Sequence, residues 1–80
     1  RNIMLKITLL LNTIDNVRDF VEIASSKAYD ITLKSGDIVV NAKSIISVFS
    51  LDLTKPVEMT ANCKTAFELS RQIEKYVYKK

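Results

Sequence analysis

Ser44, in the stretch VVNAKSIISVFSLDL, stands where alternating apolar spacing gives way to helical spacing. A hydroxyl at a helix start accepts a hydrogen bond from one of the free N–H groups of the first turn, so Ser44 is expected to cap a helix. The same position suits a phosphoserine. A phosphate there meets unpaired N–H donors and the positive end of the dipole, and Lys43 would add a counter-charge. Asp15 and Asp19 form the other chemical pairing, two carboxylates one helical turn apart. Nothing near them in the chain supplies a base or a metal set, so they read as a solvated face. Cys63 is the single cysteine and the chain has no histidine, which removes a zinc site and a Cys-His nucleophile. With one glycine, the EF-hand, P-loop and Rossmann motifs cannot be built. The expectation is a protein that is not an enzyme and holds no metal or cofactor.

Composition sets the frame in which these side chains act. Eighty residues allow one modest core, so a single domain over residues 1–80 is expected. Hydrophobic residues make up 48% and charged residues 26%, which favours a folded chain over a disordered one. No apolar run approaches bilayer length, and an unpaired cysteine suits a reducing cytoplasm. The net charge of +3 permits contact with anionic partners. However, Tyr29, Tyr76 and Tyr78 fall outside the expected strands, so an aromatic platform for RNA is not indicated.

Periodicity predicts the elements. Ile3, Leu5, Ile7 and Leu9 alternate as one buried face of a strand. Asn12 and Thr13 offer caps for a helix that carries Ile14, Val17, Phe20, Val21 and Ala24 on one face and ends near Lys27. Residues 30–41 read as a hairpin with Ile31, Leu33, Ile38 and Val40 inward and its turn at Ser35-Gly36. A short helix is expected over about Ser44–Ser50. Pro56 bars its continuation, and a fourth strand follows with Val57 and Met59 inward. A closing helix from about Thr65 places Ala66, Leu69, Ile73 and Val77 on one face. The order βαββαβα predicts an α+β open-faced sandwich, a four-stranded antiparallel sheet covered on one face by helices.

The short helix sets Ser44, Ser47 and Ser50 against Ile45, Val48 and Phe49, with Ile46 near the edge of the stripe. Seven residues cannot bury all four apolar side chains equally. Some are expected at the surface, where large apolar groups rimmed by serines suit a docking patch.

VVNAKSIISVFSL (39–51) resembles the regulatory-serine segment of HPr, the histidine-containing phosphocarrier of the bacterial sugar phosphotransferase system, and is most similar to that of the catabolite-repression HPr-like proteins. IASSKAYDITL (23–33) is similar to the HPr stretch in which an Ala-Ser pair ends the first helix and Asp-Ile opens the next strand. Carried over without gaps, the resemblance sets Thr13 at the phosphohistidine position and Asp15 at that of the neighbouring arginine. Where the family has His-Ala-Arg-Pro this chain has TIDN (13–16), a degenerate site without the acceptor. After Ser44 the family's Ile-Met-Gly is here Ile45, Ile46 and Ser47. The resemblance implies an HPr-like fold without phosphocarrier activity. It further implies a regulatory or protein-binding role, with Ser44 as candidate phosphorylation site and Ile45, Ile46 and Phe49 as partner-binding residues. The partner implied is a phosphotransferase-system component, HPr kinase or a transcription regulator, in the cytoplasm. Two rival readings are a phosphocarrier that uses Asp15 as acceptor and a basic α/β module that contacts RNA or another anionic surface.

Overall fold

The computed structural model describes residues 2–79. The strands are β1 (Ile3–Leu9), β2 (Ile31–Ser35), β3 (Ile38–Asn41) and β4 (Val57–Cys63); the helices are α1 (Ile14–Ser25), α2 (Ile45–Phe49) and α3 (Phe67–Ile73), followed by a 3₁₀ turn, Glu74–Tyr76. All strand pairs are antiparallel and the sheet order is β1-β4-β2-β3, so the last strand fills the gap between the first two.

Register explains the core. Leu9 faces Val57, Ile7 faces Met59 and Leu5 faces Ala61, while Leu33 lies beside Met59 on the other side of β4. These alternate residues point to one face, where Phe20 of α1, Val48 of α2, and Leu69 and Ile73 of α3 are buried against them. Met59 sits at the centre of this face and is fully buried; truncation of such a side chain to alanine costs about 2–5 kcal/mol. The opposite face carries Lys6, Thr8, Lys34, Glu58 and Asn62, all exposed. The fold is therefore the α+β open-faced sandwich in βαββαβα order that the periodicity predicts, with helices on one face of the sheet, consistent with an HPr-like arrangement. Among the described residues no helix is long and apolar enough to cross a membrane.

Four expectations need correction. The hairpin turn is Gly36-Asp37, closed by the pair Ser35–Ile38; only Gly36 has positive φ (+59°), the requirement of a type II′ turn at its first central residue. Ile38 points to the helix-covered side, as its pairing with Ser35 requires, but is exposed there, at the first residue of an edge strand. Ile14 does not join the buried stripe of α1; at the first helical position it projects beyond the sheet and is 65% exposed. Val77 is not helical. The last turn tightens to 3₁₀ spacing, in which residues three apart eclipse, so Tyr76 rather than Val77 lies under Ile73. Val77 instead adds to the sheet edge as a single bridge to Leu9.

Candidate functional site

Thr13 begins the site. Its extended backbone (φ −133°, ψ 155°) marks a non-helical cap, and its Oγ1 accepts the Asn16 N–H at 3.1 Å. Thr13 rather than Asn12 is thus the cap of α1. Asp15 lies exposed in the first turn, where its charge suits the dipole, and it joins no salt bridge among the described residues.

Ser44 caps α2, as its position in the sequence implied. Its backbone is extended (φ −104°, ψ 105°) and its Oγ accepts the Ser47 N–H, though at 3.5 Å, the outer limit of such a bond. The half-buried Lys43 does not stand free beside it as a counter-charge. Its ammonium donates to the Lys27 carbonyl at 2.8 Å, and its own N–H donates to Asn41 Oδ1 at 2.9 Å. The Ser25 hydroxyl also donates to the Lys43 carbonyl, at 3.5 Å. These bonds hold the start of α2 against the C-terminal end of α1.

The far end of α2 reaches the start of α1. Phe49 lines a small hollow of about 190 Å³ with Thr13, Ile14, Val17 and Leu53. The two helices therefore run in opposed directions, with Ser44 toward Ser25 and Phe49 toward Thr13. Ser44 does not line the hollow at Thr13. Of the apolar residues of α2, only Val48 is buried. Ile45 is partly exposed, Phe49 is 43% exposed and Ile46 is 82% exposed. With Ile14 these side chains form an apolar surface that spans α2 and the first turn of α1. Ile14 was missed as a member because its helical spacing from Val17 suggested core.

Asp19 does not belong to a free carboxylate face. It accepts the Tyr76 hydroxyl, and the Lys75 ammonium lies 3.5 Å away. The Tyr76 bond holds the Asp19 carboxyl below its ordinary range, with help from Lys75. Burial, reinforced by Asp19, pushes the Tyr76 hydroxyl up to about 12. The only signal in sequence was Tyr76 three residues after Ile73, which needs the 3₁₀ turn to be recognised. A second tie, Lys27 to Glu68 at 3.1 Å, joins the end of α1 to α3. Beside it, burial raises the Tyr29 hydroxyl above its ordinary range in a hollow floored by buried Cys63. No buried side-chain donor or acceptor among the described residues lacks a partner, and no three metal-ligating groups converge.

No protein-family model matches the chain, and no curated protein matches it. At Thr13, which the sequence resemblance sets at a phosphohistidine position, the side-chain oxygen accepts a helix N–H, and an acidic side chain, Asp15, stands two residues on. A carboxylate there repels a phosphoryl group where a cation would hold one.

Proposed function

We propose that this chain is an HPr-like protein without phosphocarrier activity, which docks on a protein of the bacterial phosphotransferase network and is phosphorylated on Ser44 by HPr kinase. The observation that carries the reading is the apolar surface of Ile14, Ile45, Ile46 and Phe49 on α1 and α2, with a serine hydroxyl at the start of the same short helix. Isolated exposed apolar residues are ordinary. Four large ones gathered on two helix ends cost solvation unless a partner covers them.

Ser44 is suited to act as acceptor because its oxygen receives the Ser47 N–H while its own O–H donates to no group among the described residues. Transfer of the γ-phosphoryl group of ATP to Oγ would release that proton and ADP, and add negative charge beside the apolar surface. A partner that packs on Ile46 and Phe49 would then meet a charged rim, so modification changes affinity without unfolding the domain. The RNA reading lacks a comparable feature. The four strands set Lys6 and Lys34 on the open sheet face but no aromatic ring, and Tyr78, beside Thr8 at its edge, is one exposed ring and not the row on which successive bases stack.

The test is incubation with HPr kinase and ATP, followed by mass mapping of the modified residue. One phosphate on Ser44 supports the reading. No phosphate, or phosphate elsewhere, contradicts it.

A further inference from the structure

We infer that the free edge of β3 pairs with β3 of a second copy, in an antiparallel two-fold register centred on Val39, to give a weak dimer with a continuous eight-stranded sheet. Ile38 and Val39 are neighbours on opposite faces of this edge strand, and they are 56% and 58% exposed. Strand edges in monomeric proteins are ordinarily blunted by lysine, proline or a bulge, or are covered. The β1 edge follows that rule. It carries Lys6, and its end is covered where Leu10 N–H donates to the Tyr76 carbonyl and Tyr78 N–H to that of Thr8. The β3 segment IVVN has no charge, no proline and no covering strand among the described residues.

Parity decides which backbone groups are available. The two-residue turn makes Ser35–Ile38 a hydrogen-bonded pair, and the Ala42 N–H donates to the Ile31 carbonyl at 2.9 Å. Ile38, Val40 and Ala42 therefore turn their N–H and C=O groups toward β2, whereas Val39 and Asn41 turn theirs outward. A two-fold pairing must set odd residues against odd ones. Centred on Val40, it would set each exposed Val39 side chain against the polar side chain of Asn41. Centred on Val39, the two copies of Val39 exchange both hydrogen bonds. Ile38 then lies against Val40 of the second copy, and the Asp37 carboxylate against the Asn41 amide. Each exposed apolar side chain gains an apolar partner. Lys34, next in the row, is already flanked by Glu58, so no like charges oppose across the axis.

So short a ladder buries far less surface than a stable interface requires, which sets the dissociation constant on the order of 0.1–1 mM. Sedimentation equilibrium from about 10 μM to 2 mM spans this range. Reversible dimer formation is expected. Val39→Lys should weaken it at least tenfold, while Met4→Lys, on the opposite edge, should leave it unchanged. In the native chain, amide exchange at Val39 and Asn41 should slow with concentration, while that at Met4 and Lys6 should not; this readout needs no variant to fold. A monomer at the highest concentration overturns the inference, as does an open polymer. Loss of association in Met4→Lys but not in Val39→Lys overturns it too.

Discussion

The hydroxyl of Tyr76 donates to the carboxylate of Asp19, which joins the end of the chain to the middle of α1 across 57 positions of sequence. Both ends of this bond are pH-sensitive, in opposite directions. Asp19 has a depressed carboxyl, so its contribution is present above its ordinary 3.8 and is lost as the pH falls through the lower folded value. Tyr76 has a raised hydroxyl, so its contribution is present below its ordinary 10.0 and is lost as the pH rises toward about 12. Tyr76→Phe should lower stability by about 1 kcal/mol and remove the alkaline loss attributable to this group, read by denaturant melts at pH 7 and pH 11. Equal losses in the variant and the parent across that interval would show that the bond does not form in solution.

The two helix caps differ in geometry, and their energies should follow. Thr13 accepts its N–H at 3.1 Å and Ser44 at 3.5 Å. Thr13→Ala should cost about 1 kcal/mol, while Ser44→Ala should fall near the low end, about 0.5 kcal/mol. Ser44→Asp should retain the fold, because aspartate also caps. Chemical denaturation of the three variants measures the order directly. A larger loss at Ser44 than at Thr13 would contradict it.

Phosphoenolpyruvate and Enzyme I should place no acid-labile phosphate on this protein, because Thr13 is a cap and Asp15 repels the group. Thr13→His alone should accept little. Adding Asp15→Arg should raise transfer severalfold, since guanidinium pairs bidentately with phosphate oxygens. Label on the native chain that vanishes in Asp15→Asn would establish the acyl-phosphate alternative instead.

Most of the architecture was legible because each element obeys its own period. Val57 and Met59 of β4, and Val17, Phe20, Val21 and Ala24 of α1, are buried where alternation and helical spacing put them. Ser44 was legible as a cap because capping is local. What escaped was non-local. The sequence of β3 does not say that it lies at an edge, so the exposure of Ile38 follows only from strand order. Asp19 looked solvated because its partner lies at the other end of the chain. The patch was half legible: Ile45, Ile46 and Phe49 were too many apolar groups for one short helix, but Ile14 joined them only once α1 and α2 were set side by side.

The proposed docking surface is open to a measurement that separates binding from folding. Ile46 is 82% exposed, so Ile46→Ser should leave the denaturation midpoint unchanged within error. The assay is phosphorylation of Ser44 by HPr kinase and ATP, compared as kcat/KM for the native chain and for Ile46→Ser. The account predicts phosphate on Ser44 in the native chain and at least a tenfold lower kcat/KM in the variant. Absence of phosphate on Ser44, or equal kcat/KM for the two proteins, would contradict it.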